Sequence, residues 1–164
     1  MRLSVTAVPA LWVLCLAHPL PGRGQAVSLP AAAGPLFLPG SGTGGDWHGM
    51  IGVGIQREAF GARLEAMYAG VPGADLVALT GNLVWILRPG ELTDVEPYLI
   101  AGVGSYVKFS ESRFGLNGGV GVRRRVGRLR LFAEVRYHRV TRRFEEARDA
   151  DTFVPVSVGV ALGR

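Results

Sequence analysis

Beyond residue 26 the hydrophobic positions form apolar segments of about 8–13 residues, separated by short Gly, Pro, Asp and Glu punctuation. No segment keeps a helical period. The pattern predicts strands near 27–38, 47–56, 61–68, 76–87, 97–107, 114–126, 129–139 and 153–163, with Pro30, Pro35 and Pro39 interrupting the first. Phe114, Leu116, Gly118, Val120 and Val122 share one face of their strand, while Gly115, Asn117, Gly119, Gly121, Arg123 and Arg125 share the other. In the next strand Leu129, Leu131, Ala133, Val135 and Tyr137 oppose Arg130, Phe132, Glu134, Arg136 and His138. Successive side chains of a strand point to opposite sides, so each strand has an apolar and a polar face.

Turns then set register. A two-residue turn at Gly127-Arg128 puts Val126 opposite Leu129, Arg123 opposite Phe132, Gly121 opposite Glu134 and Gly119 opposite Arg136. A slip of one residue would destroy this match of polar with polar and apolar with apolar. A four-residue loop over 57–60 does the same earlier, facing Gly54 with Arg63, Gly52 with Glu65, Val53 with Leu64 and Ile51 with Ala66. In both hairpins small residues oppose charged ones.

Alternation alone fits a soluble barrel or a membrane barrel, and the polar faces separate the two. They are rich in glycine and carry few charges, which the sequence groups as Arg63 with Glu65, and Glu134 between Arg123 and Arg136. A narrow lumen must pair its charges, because unpaired buried ions are costly. Strands of about ten residues also suit a tilted crossing of the hydrocarbon. Trp47, Tyr68, Trp85, Tyr98, Tyr106, Phe114 and Tyr137 lie mostly near strand ends, where interfacial girdles form. Arg124 falls on the lipid-facing parity, three residues before the turn, from where it can snorkel to the interface. The expected fold is an all-β, antiparallel, up-and-down transmembrane barrel of eight strands. With both termini in the periplasm, links 57–60, 88–96 and 127–128 are periplasmic, and 39–46, 69–75, 108–113 and 140–152 are extracellular.

The first 26 residues differ in kind. Arg2 is followed by an apolar stretch to Ala17, then Pro19 and Pro21, then the small-residue pattern Gly24-Gln25-Ala26. This predicts a signal peptide over 1–26, exporting a barrel domain over 27–164. Cys15 lies within that leader, so the mature chain offers no disulfide or thiolate metal site. Loss of Arg2 and Arg23 lowers the formal charge from +5 to +3. Lys108 is the only lysine, and no basic stripe interleaved with stacking aromatics points to nucleic acid.

Four segments carry a resemblance to the outer membrane protein β-barrel domain family of small OmpA- and OmpX-like barrels. They are Pro97-Tyr98-Leu99-Ile100-Ala101-Gly102-Val103-Gly104, Phe114-Gly115-Leu116-Asn117-Gly118-Gly119-Val120-Gly121, Leu131-Phe132-Ala133-Glu134-Val135-Arg136-Tyr137 and Val154-Pro155-Val156-Ser157-Val158-Gly159-Val160. The resemblance covers the C-terminal half and implies an eight-stranded barrel inserted into a Gram-negative outer membrane, usually without enzymatic activity; a monomer is expected, with membrane lipid and the outer-membrane assembly machinery as its partners. Members commonly end on an aromatic, whereas this sequence reads Leu162-Gly163-Arg164.

Candidate chemistry is sparse. An enzyme would have to use His48 or His138 with a serine such as Ser105 or Ser157, and no nucleophile–base–orienter set is recognisable. With His18 in the leader, a metal site is not expected, nor is a cofactor. Arg63, Glu65, Arg123, Glu134 and Arg136 read as a structural lumen network, since eight strands leave an interior that side chains can fill. Arg136, Arg139, Arg142 and Arg143 near the outer end are candidate contacts for lipopolysaccharide phosphates. Two alternatives stand beside the non-enzymatic membrane barrel. One is a soluble periplasmic lipocalin-like barrel with its Val/Leu faces inward, and the other is an outer-membrane lipid hydrolase with His138 near a serine.

Overall fold

A computed structural model describes residues 25–39, 46–71, 74–87, 95–108, 111–141 and 151–163. The expected leader lies outside these residues apart from Gln25 and Ala26, which open the first strand. Eight strands follow: β1 Gln25–Phe37, β2 Asp46–Arg57, β3 Phe60–Val71, β4 Ala74–Ile86, β5 Val95–Lys108, β6 Glu111–Val126, β7 Leu129–Val140 and β8 Thr152–Gly163. Each pairs antiparallel with its sequence neighbours, and β1 pairs with β8 to close the barrel. Closure satisfies the backbone of every strand without an edge, which is the condition for β structure to cross hydrocarbon.

Both register expectations hold residue for residue, from Val126↔Leu129 to Gly119↔Arg136 and from Gly54↔Arg63 to Ile51↔Ala66. Several links are shorter than expected. Arg57 pairs with Phe60, leaving a two-residue turn at Glu58-Ala59. Val71 pairs with Ala74, and Lys108 with Glu111, so the expected loops 69–75 and 108–113 shrink to two residues each. Asp75, Lys108 and Glu111 read as punctuation in the sequence, yet the pleat runs on through them, because strand ends can carry polar side chains beyond the apolar band.

The prolines of β1 interrupt one ladder at a time. Pairing with β2 skips Leu29 and Pro30, while pairing with β8 skips Gly34 and Pro35. At each proline the strand stays attached on its other side, so the missing N–H does not detach it.

The distribution of side chains is inside-out. Ile51, Leu83 and Val158 are 67%, 72% and 68% exposed on the outer surface, whereas Glu65 and Arg136 are 1% and 4% exposed in the lumen. A soluble ligand-binding barrel needs the Val/Leu faces inward, and this barrel turns them out. Phe37, Trp47, Tyr68, Phe114 and Tyr137 ring the exterior at one end, and Phe60 stacks on Trp85 at the other. Tyr98 and Tyr106, expected in that girdle, are buried in the lumen instead. Their positions along the strand suited a girdle, but their parity is that of Ile100 and Lys108.

The lumen itself is layered. Leu36, Met50, Met67, Leu76, Tyr106 and Phe153 belong to a large apolar cluster, and Val84, Ile86, Tyr98 and Ile100 form a smaller one.

In the β2–β3 turn Glu58 sits at φ 53°, and Gly127 occupies the matching place in the β6–β7 turn at φ 60°. Only glycine adopts this region without a Cβ penalty. Glu58→Gly should therefore stabilise the barrel by about 1 kcal/mol, measured as an upward shift of the urea unfolding midpoint in detergent.

Candidate functional site

Four charged residues from opposite walls meet across the lumen. Arg63 and Glu65 alternate with outward residues on β3, and Glu134 and Arg136 do so on β7. Arg136 grips Glu65 with both terminal nitrogens, Nη1 to Oε2 at 2.6 Å and Nη2 to Oε1 at 2.9 Å, and Nη2 also reaches Glu134. Arg63 donates from Nη2 to Glu134 Oε2 at 2.9 Å and lies 3.4 Å from Glu65 Oε1 through Nη1. Two cations and two anions thus form a closed square in which each ion faces two of opposite sign. Neutral groups complete it. Tyr98 donates its hydroxyl to Glu134 Oε2 at 2.7 Å, and Asn82 donates to Glu65 Oε2 at 2.6 Å and Thr80 Oγ1 at 2.9 Å. Arg63 also lies over the Tyr98 and Phe132 rings, 5.6 and 5.9 Å from their centroids.

The glycines make room for this square. Gly121 is the Cα partner of both Tyr98 and Glu134, and a Cβ there would lie 2.3 Å from Tyr98 Cζ. A methyl group would push Tyr98 off Glu134.

Arg123, which the sequence grouped with Glu134, lies apart from the square. Its Nε donates to Glu96 Oε2 at 2.7 Å, and its Nη1 to Gln56 Oε1 across the lumen. The β5–β6 register decides this, because it makes Glu96 the Cα partner of Arg123. Sequence reasoning missed Asn82, Thr80, Tyr98, Glu96 and Gln56. Parity alone could have assigned Asn82 and Tyr98 to the lumen, but their carboxylate partners Glu65 and Glu134 stand on β3 and β7, and Tyr98 meets Glu134 through the β5–β6–β7 register.

The upper lumen holds the histidines. His138 is the Cα partner of Asn117, as expected, stacks on Phe153 at 4.7 Å and shares a 2.9 Å hydrogen bond between Nδ1 and the Tyr106 hydroxyl. His48 Nε2 and Ser157 Oγ lie 2.9 Å apart. These two residues sit on β2 and β8, either side of β1, and Gly34 of β1 lies between them. A Cβ on Gly34 would fall 1.9 Å from the Val156 carbonyl oxygen. The pair has the first two parts of a nucleophile and base, but both residues are buried, and among the described residues no carboxylate hydrogen-bonds His48. Ser105 is on the exterior, sharing a hydrogen bond with Ser112. Arg139 is exposed at the far end of β7, and Arg142 and Arg143 lie outside the described residues.

This closed, inside-out barrel of eight strands has the fold of small outer-membrane proteins. Among solved structures it is similar to Neisserial surface protein A, with a TM-score of 0.65 at 16% identity over 85% of this chain and 96% of that one. A major outer membrane protein from Thermus thermophilus follows at 0.57 and 14%, over 85% and 99% of the two chains. The outer membrane enzyme PagL is similar at 0.53 and 13%, over 82% and 98%. At these identities the likeness is one of fold. No protein-family model matches the chain, and no curated protein matches it by sequence.

Removing one member of the buried square leaves its partners as uncompensated charges. Arg136→Ala should cost about 3–5 kcal/mol, while Arg139→Ala on the outer face of the same strand should change stability by less than about 0.5 kcal/mol. Urea unfolding of both variants in detergent checks the contrast.

Proposed function

We propose that this protein is a non-enzymatic barrel of a Gram-negative outer membrane, monomeric, delivered by the assembly machinery and acting structurally or through its extracellular loops. The observation that carries the reading is the inverted distribution of side chains. The exterior is an apolar band with aromatic residues at both ends, and the charges are tied together inside. Such an exterior is costly in water and stable in lipid. The plugged lumen supports a structural role for the charged square over a pore. Of the links at the girdle-rich end, 38–45 and 141–151 are the longest, and they are the loops through which partners would be met. Arg139, exposed at that end, together with Arg142 and Arg143, is part of this reading as a contact for lipopolysaccharide phosphates.

A lipid hydrolase is the second reading, favoured by the His48–Ser157 hydrogen bond and by the fold shared with the enzyme PagL. Against it stand the burial of the pair and the engagement of His138 with Tyr106 rather than a serine.

Three experiments test these readings. The protein should fractionate with outer membranes and show a heat-dependent mobility shift in detergent gels. Val120→Arg, on the outer face of β6, should then lower stability by about 2–4 kcal/mol if Val120 meets lipid, and by almost nothing if it meets water. A fluorophosphonate probe should leave the folded protein unlabelled, and labelling that Ser157→Ala abolishes would establish the hydrolase.

A further inference from the structure

The hairpin joining β6 to β7 carries five arginines within eight residues: Arg123, Arg124, Arg125, Arg128 and Arg130. None belongs to the central square. Register makes Arg125 and Arg130 Cα partners, and both share the lumen-side parity of Arg123 and Phe132. Like charges directly opposite on neighbouring strands repel, and Arg130 also feels the charge of Arg123. The nearest carboxylate on this wall, Glu96, is engaged by Arg123. Among the described residues no ion pair includes Arg125, Arg128 or Arg130. At mid-lumen Arg63, Glu65, Glu134 and Arg136 are all paired, so an opposed pair of cations at one mouth stands out.

A cavity opens beside Arg130, with Arg125 and Arg128 outside its wall. Its volume is about 50 Å³, and its wall includes Arg63, Arg123, Arg130, Tyr98, Gln56 and Ser28. That is room for roughly three or four water molecules, or one small tetrahedral anion. Arg63 contributes a buried Nε with no hydrogen-bond partner. On the outer side of the same hairpin Arg124 is exposed, and Arg128 stands at the turn. In a membrane-embedded barrel these positions lie at headgroup depth, where phosphate is the abundant anion.

We propose that the mouth of the barrel at the β6–β7 turn is a phosphate-binding site, with Arg125 and Arg130 clasping one phosphate group between their guanidinium forks and Arg128 closing over it. Planar forks match two phosphate oxygens at a time, and an anion between them converts the repulsion into a bridge. The phosphate belongs either to an anionic phospholipid headgroup or to the free ion.

The test uses refolded protein in a neutral maltoside detergent, comparing wild type, Arg125→Ala/Arg130→Ala and the far-end control Arg113→Ala, whose arginine pairs with Glu111 at the opposite rim. Inorganic phosphate is titrated against chloride at constant ionic strength, with the unfolding midpoint as readout. Phosphatidylglycerol and phosphatidylcholine are titrated separately, with retained lipid counted by native mass spectrometry. Phosphate or phosphatidylglycerol should stabilise or bind the wild type and the control, and the double variant should bind about tenfold more weakly. Without phosphate the double variant should unfold at close to the wild-type midpoint, since it loses the arginine–arginine repulsion together with the weaker attraction of Glu96 for Arg130. Preference for phosphatidylglycerol over phosphatidylcholine assigns the site to a headgroup. A response to inorganic phosphate with equal binding of both lipids assigns it to the free ion. Wild type that responds to none of the three probes, or a double variant that responds as wild type does, would overturn the site. Heat-dependent mobility of the same samples reports separately on the membrane reading.

Discussion

Closing eight strands into a barrel confronts the chain with a lumen only a few side chains wide, and most other features follow from that confinement. Every second residue of every strand must fit there. Several of the largest side chains are seated opposite glycine, as where Gly52 faces Glu65 and Gly119 faces Arg136. Any charge that enters must find its counter-ion inside, because water cannot solvate it. Arg63, Glu65, Glu134 and Arg136 solve this by alternating in sign around a square, with Tyr98 and Asn82 donating to the carboxylates. The square joins β3 to β7, strands on opposite walls, so it holds the barrel in cross-section where the backbone ladders hold it around the circumference.

The same confinement shapes the upper lumen. His48 and Ser157 meet over Gly34, and His138 meets Tyr106 and Phe153, all beneath side chains that fill the space around them. A serine and a histidine at hydrogen-bond distance are not by themselves a catalyst. Acyl transfer also needs an oriented base and a place for the substrate carbonyl, and Ser157 is sealed from both hydrocarbon and water. What the fold offers to a partner lies at its two ends.

Those ends differ. One carries five exposed aromatics, Phe37, Trp47, Tyr68, Phe114 and Tyr137, and with them the links 38–45 and 141–151. The other carries the stacked Phe60–Trp85 pair and the arginine-rich β6–β7 hairpin. The solved barrels that resemble this chain share its architecture at 13–16% identity, so the architecture tolerates almost any residues that respect inward and outward parity.

Residue by residue, the alternation from Phe114 to His138 made the two faces of β6 and β7 readable without coordinates, and the tight turn at Gly127 fixed their register. A period of two and a two-residue turn are local properties, complete within the hairpin, and they survive into any fold that contains it. The same locality made β2 and β3 legible, including the glycines opposite Arg63 and Glu65. Strand length and the separation of Arg123 from the central square were not legible in this way. Each depends on which strands stand across the lumen, or on pairings joined by links that carry no register signal. The sequence by itself therefore determined the strands, their faces and the register of their tight hairpins. Only the tertiary structure decided which charges meet across the lumen, because Arg63 and Glu134 are 71 residues apart and share a hydrogen bond solely because β1 closes on β8.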